Sequence, residues 1–258
     1  MNIVVCVKQV PDTAVERTLT PEGTLDRASL DGLINELDEY AIEEGLKLAE
    51  AHGGEVTVLS MGPAKAADSI RKALSMGAGR AVHVLDDGLA GSDALATSAV
   101  LAAALRLTGF DLAVFGSEST DARTGVVPAM VAERLGVPQL TLASKVDVDG
   151  PSVTVRRVTD EGYAVVTGSL PAVVSVVEKI NEPRYPTFKG IMAAKKKPVQ
   201  VLTLAELPAA AGWAGLADAA TGVADFAVRP ARQAGVVVKD EGDGGVKAAA
   251  FLAERKFI

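Results

Sequence analysis

The stretch VTVLSMGPAKAADSIRKALSMGAGRAVHVL, residues 56–85, decides the fold. It opens on an apolar, β-branched run (56–60), passes Gly62-Pro63 into a helix-compatible run (64–76), and returns through Gly77-Ala78-Gly79 to a second apolar run (81–85). A strand, a helix and a strand of these lengths imply a right-handed crossover between parallel neighbours. The same alternation extends in both directions. Upstream, Ile3, Val4, Val5, Cys6 and Val7 form a continuous apolar run, as expected of a strand buried on both faces. An amphipathic helix over 36–51 follows and stops at Gly53-Gly54. Downstream come a helix over 92–107, a strand over 112–115 and a helix over 124–135. The expected fold is therefore α/β, a mainly parallel, doubly wound sheet with helices on both faces.

After Pro138 the texture changes. Three strand-like runs, 139–146, 152–158 and 163–169, have no helix between them and are separated by Asp149-Gly150 and Glu161-Gly162, so they are expected to form hairpins. A further apolar run occupies 171–177, and a hairpin signal lies at 18–25, between the first strand and the first helix. Beyond residue 190 an alanine-rich segment carries the single tryptophan, Trp213, and a glycine-rich stretch over 241–245 precedes a last helix over 246–256. The pattern there is too sparse for a second core. The expected division is a domain over 1–190 and an arm over 191–258 that lies on a partner.

Composition excludes several functions. With 48% apolar residues over 258 positions the chain can bury a full core. A net charge of -7 argues against a general nucleic-acid partner, and the one dense basic run is Lys195, Lys196 and Lys197. One cysteine and two histidines, His52 and His83, provide neither a disulfide nor a metal site nor a catalytic triad, so no catalytic and no metal-ligating residues are expected. The longest apolar stretches, near 99–107 and 208–220, are too short or too broken to span a bilayer. The opening MNIVVCVK enters a strand without a signal or transit pattern, which predicts a bacterial, cytoplasmic protein.

In an open parallel sheet, ligands bind beyond the carboxyl ends of the strands where the order reverses. For a strand order 3-2-1-4-5 that crevice lies between the loops after strands one and four. The latter loop reads GSESTDARTG over 116–125, rich in hydroxyls and backbone donors and leading into a helix, an arrangement suited to a phosphate. The same residue types are preferred at a simple helix N-cap. No Walker lysine and no G-x-G-x-x-G is present, and Gly77-Ala78-Gly79 follows a helix, the wrong order for a dinucleotide fingerprint.

A second feature is NEPRYPTFKGIMAAKKKP, residues 181–198. Pro183 and Pro186 hold the backbone extended and forbid a helix before about Phe188, and a short helix ending at the three lysines can follow. Phe188 has no apolar periodicity around it, so it either folds back on its own domain or is offered to something else.

The run N-E-P-R-Y-x-T-x-x-x-I-M-x-A-K-K-K closely resembles the recognition loop of the beta subunit of electron transfer flavoprotein. The resemblance runs from Met1 to about Pro198 and returns at Arg232-x-x-Gly235. It includes Arg157-x-x-Asp160-Glu161-Gly162, which is also good turn chemistry, and Leu170-Pro171-Ala172-Val173-Val174. It implies a Rossmann-like, adenine-nucleotide-hydrolase-like sheet with an added β-hairpin region and a C-terminal arm. It further implies that Phe188, where many members have leucine, anchors the chain to acyl-CoA dehydrogenases, with Arg184, Tyr185, Ile191 and Met192 as the surrounding docking residues.

The family's AMP site matches Cys6, Asn35, Glu36, Leu37, Asp38, Met61, Glu118, Ser119, Thr120, Asp121, Ala122, Arg123, Thr124, Gly125, Val126, Val127, Pro128 and Ala129. Thr124-Gly125 fits the family's T-G pair, while Val126 stands where glutamine is common. FAD would lie mainly on the alpha subunit, covered in part from Pro11, Asp12 and Thr13. The implied function is a subunit of a heterodimeric electron carrier, not an enzyme by itself. It would take electrons from dehydrogenases of fatty acid β-oxidation and pass them through a quinone oxidoreductase towards the respiratory chain. Two alternatives stay open: a bifurcating flavoprotein with a second FAD in the crevice, and a flavin-free sensor of adenine nucleotides.

Overall fold

A computed structural model describes residues 1–210, 212–227, 230–232, 235 and 237–258. They fall into two compact units, Met1–Ala224 and Asp225–Ile258. In the first unit the strands are β1 (Asn2–Cys6), β2 (Gln9–Pro11), β3 (Gly32–Ile34), β4 (Glu55–Met61), β5 (Arg80–Val84) and β6 (Leu112–Gly116). They continue with β7 (Gln139–Asp149), β8 (Ser152–Thr159), β9 (Gly162–Ser169), β10 (Ala172–Val176) and β11 (Val199–Leu202). The helices are α1 (Glu36–His52), α2 (Ala67–Met76), α3 (Ala94–Thr108), α4 (Val127–Leu135) and α5 (Phe188–Ala194).

Nine strands form one sheet in the order β11-β5-β4-β1-β6-β10-β7-β8-β9, while β2 and β3 make a separate antiparallel pair. From β11 to β7 all pairings are parallel, and β7, β8 and β9 add two antiparallel hairpins. The doubly wound α/β expectation, the order 3-2-1-4 and the hairpins are borne out. β10 takes fifth place in that order. Helices cover both faces. Ile3 and Val5 pack with Ile42 and Leu46 of α1 and Ile70 and Leu74 of α2, whereas Val4 and Cys6 pack with Val100 and Leu101 of α3 and Val131 of α4. This division follows from the strict alternation of side chains along a strand. α1 lies so close to the sheet that a Cβ on Gly45 would come within 2.9 Å of Val5 Cγ2.

Two elements depart from the expectation. The polar excursion between β1 and α1 contributes β2 and β3, each of three residues, while the hairpin signal at 18–25 makes only an isolated bridge between Leu19 and Leu25. The expected boundary at 190 also shifts, because residues 191–224 belong to the first unit. β11 completes the sheet edge beside β5, and its continuation is tied down by side chains around α3. Asp86 accepts from Leu204 N at 3.1 Å, Ser92 Oγ from Gly215 N at 2.8 Å, and Asp93 from Thr221 N and Oγ1 at 2.9 Å each. Arg134 stacks on Trp213 at 4.6 Å. The second unit contains α6 (Gly244–Glu254), at whose start Asp240 accepts from Gly242 N and Gly244 N. The two residues between Arg232 and Gly235 lie outside the described residues.

Asp93 also caps α3 through Ala96 N at 2.8 Å, so one carboxylate serves both the helix and the chain after β11. Asp93→Ala should cost about 1–2 kcal/mol. Thermal unfolding should then fall by roughly 2–8 °C, and limited proteolysis should newly cleave within 203–224.

Candidate functional site

The strand order reverses between β1 and β6, and the residues that follow both strands meet there. Their meeting is fixed by Asn35 and Asp38, both buried, at the start of α1. Asn35 Nδ2 donates to Asp38 Oδ1 at 3.0 Å and to the Glu118 carbonyl at 2.9 Å, and Asn35 Oδ1 accepts from Thr120 N at 3.1 Å. Asp38 Oδ2 accepts from Lys8 N at 2.7 Å. Gly116, the last residue of β6, is pressed against this corner: a Cβ there would sit 2.6 Å from Asp38 Oδ1 and 2.8 Å from the Leu37 backbone. Burial pushes the Asp38 carboxyl up to about 7, against the hydrogen bonds from Asn35, Lys8 and Gly116. Burial, and behind it Asp38, also pushes the Cys6 thiol up.

Over this corner runs the loop 117–126. Three cations hold it from the other side. Lys8 Nζ reaches Ser119 Oγ at 3.2 Å and Asp121 Oδ1 at 2.8 Å, Arg27 pairs with Asp121, and Arg17 Nη1 donates to the Thr120 carbonyl at 3.0 Å. Arg123 pairs with Glu118 at 3.2 Å. Arg123 and Gly125 have φ of 50° and 64°, left-handed conformations that turn the loop towards α4. Among the described residues, the N–H groups of Thr124, Gly125 and Val126 donate to no protein acceptor. The hydroxyl of Thr120 is buried without a partner. Unsatisfied donors at the start of α4 and an orphaned hydroxyl in the loop before it fit an anionic, hydroxylated ligand such as a nucleotide.

The candidate binding residues thus come together in part. Asn35, Leu37, Asp38 and residues 117–126 form the corner and its loop, with Ala122, Arg123, Thr124, Gly125 and Val126 exposed. Met61 ends β4 and is half-buried, Glu36 is exposed, and Val127, Pro128 and Ala129 begin α4. The Cys6 side chain packs in the core. Lys8, Arg17 and Arg27 were not among the expected site residues. Only Lys8, directly beyond the first strand, carried a sequence signal; the two arginines lie in a stretch without periodicity.

Segment 181–187 runs extended along α1. Asn181 Nδ2 donates to the Tyr40 carbonyl at 3.1 Å and to Glu44 at 3.0 Å. Arg184, expected to face a partner, turns inward: its guanidinium bonds Glu43 at 2.7 and 3.0 Å and Glu50 at 2.6 and 3.2 Å, and its N–H bonds Glu43 at 3.1 Å. Thr187 caps α5 through Gly190 N at 3.0 Å, and Gly190 lies so close to α2 that a Cβ would meet the Ser75 carbonyl at 2.5 Å. Lys197 Nζ closes the end of α2 on the carbonyls of Leu74 and Ala78 at 2.9 and 2.7 Å. On this framework Tyr185 and Phe188 are 90% and 80% exposed, and Ile191 and Met192 are also exposed.

Asp121 supplies a pH test of the loop. Burial pushes its side chain up, but Lys8 and Arg27 outweigh that and hold it down at about 2. Its ionised form therefore stabilises the fold above its ordinary range near pH 4, and that contribution is lost as pH falls towards 2. Asp121→Asn should lower stability at neutral pH by on the order of 2 kcal/mol and flatten the profile between pH 4 and 2, as measured by urea unfolding at stepped pH.

The chain matches the model of the electron transfer flavoprotein domain over residues 22–207. It is 51% identical over 264 residues to the electron transfer flavoprotein subunit beta of Mycobacterium tuberculosis, covering 100% of this chain and 99% of that protein. The subunit beta of Mycobacterium leprae is also 51% identical, again over 100% and 99% of the two chains. That of Clostridium acetobutylicum is 38% identical over 256 residues, covering 99% and 97%. With the β1–β6 corner, its anion-ready loop and the clamped segment 181–187, these likenesses agree: the chain belongs to the electron transfer flavoprotein family, among its beta subunits.

Proposed function

We propose that this beta subunit pairs with an alpha subunit to carry electrons from acyl-CoA and related dehydrogenases to a quinone oxidoreductase in the cytoplasm, serving fatty acid β-oxidation. The supporting observation is the exposure of Phe188, with Tyr185, Ile191 and Met192 around it, on a segment held rigidly by Arg184 and Asn181. An aromatic anchor presented on an ordered frame loses little entropy on docking. Arg184 in this reading positions the segment and does not touch the partner. Residues 225–258 would supply the arm that meets the alpha subunit, with Val246, Phe251, Leu252, Phe257 and Ile258 exposed for that purpose.

AMP is assigned to the β1–β6 corner. The free N–H groups of Thr124, Gly125 and Val126 and the start of α4 suit its phosphate, and Thr120 Oγ1 supplies an unused polar contact. FAD, when bound, supplies the redox chemistry of the heterodimer. This chain would cover part of it from Pro11, Asp12 and Thr13, at the end of β2 and just beyond it. Arg17, Arg27 and Lys8 keep the excursion and the loop 117–126 in register, so that covering and nucleotide binding share one frame.

Burying one phenylalanine side chain contributes roughly 1.5–3 kcal/mol. Phe188→Ala should therefore weaken docking about 10- to 100-fold, read as dehydrogenase-linked reduction at limiting carrier, with flavin content unchanged. Equal rates at limiting carrier would refute the anchor assignment. Nucleotides released from the denatured heterodimer should be one FAD and one AMP by chromatography. Two FAD would replace AMP in the corner with a second flavin, and an adenine nucleotide without flavin would point to a sensor.

A further inference from the structure

At the β11 edge of the sheet, away from the β1–β6 corner, α2, α5, β5 and β11 line an open cavity of about 290 Å³. Its apolar wall is Ile70 and Leu74, buried on α2, with Val199 and Val201, both exposed on the edge strand β11. Its rim is cationic. Arg71, Lys195 and Lys197 line it, and no carboxylate does. Among the described residues Arg71 and Lys195 have no salt-bridge partner, and Lys197 spends two donors on the end of α2. In a chain of net charge -7, three cations about an apolar hollow mark a local reversal of sign.

An apolar wall beside cations without counter-charges suits a ligand with an apolar body and one anionic head. At about 30 Å³ per water-sized group, the volume admits a body and head of roughly ten non-hydrogen atoms. We infer that this cavity is a binding site for a small amphiphilic anion, an alkyl chain of modest length bearing a carboxylate or an equivalent head. The chain lies along Val199 and Val201 against α2, and the head faces Arg71 and Lys195. The site uses none of the residues assigned to the nucleotide or to docking. It therefore stands whether or not those assignments hold.

The test is calorimetric titration of the full chain, co-purified with its partner subunit, against octanoate, octan-1-ol and octylamine. One saturable octanoate site is expected, with the alcohol at least tenfold weaker and the amine without binding. Arg71→Glu should weaken octanoate about tenfold, as expected when a charge-assisted contact is lost and reversed. Val201→Asp, which places a carboxylate on the exposed wall, should weaken it at least as much, while Tyr185→Ala should leave it unchanged. Circular dichroism identical to the parent shows that each variant is folded. Absence of saturable binding, equal affinity for alcohol and carboxylate, or octanoate affinity untouched by both cavity variants would overturn the proposal.

Discussion

The structure depends on a single buried corner in which a short amide and a carboxylate, Asn35 and Asp38, bond each other and satisfy backbone groups from two separated pieces of chain, Lys8 and the loop 117–126. Crossovers from β1 and β6 leave the sheet in opposite directions, so the backbone at their ends would be left in a crevice with nothing to bond. Asn35 closes that gap by donating to Glu118 and accepting from Thr120, and Asp38 closes it by receiving Lys8. A buried network of this kind is worth its desolvation only if it is complete. Gly116 is part of the completion, since any side chain would displace the carboxylate. With the corner satisfied internally, the outer loop is left with unused donors, and these are what a ligand can take.

Segment 181–187 is ordered by different means. Its backbone is extended by two prolines and has no sheet partner among the described residues, so its order comes from side chains that reach across to α1. Arg184 meets two carboxylates with a planar fork, a geometry a lysine could not reproduce. Glu43 is almost fully buried beneath it, which makes the pair part of the packing and not a surface ornament.

Most of the fold was legible in the sequence because its signals are local and periodic. The run over 56–85 shows strand, helix and strand within thirty positions, and Asp149-Gly150 and Glu161-Gly162 announce the hairpins. The loop 117–126 was visible through its hydroxyls and glycines. What escaped is either short or long-range. β2, β3 and β11 have three or four residues, below the length at which alternation can be recognised. The roles of Arg17, Arg27 and Arg184 depend on partners roughly a hundred positions away or more, and no spacing rule reports such a pairing. The shift of the arm boundary has the same origin, for Asp93 captures Thr221 through a contact that neither segment advertises.

Both candidate regions are fastened to one helix. The corner uses its first turn and segment 181–187 uses Glu43 and Glu50 farther along. Glu43 follows Asn35 by eight residues, so at 1.5 Å per residue the two attachments are about 12 Å apart along the helix axis. α1 thus acts as a molecular ruler. The span from the Arg184 clamp to the crevice is set by hydrogen-bonded helical backbone and does not stretch.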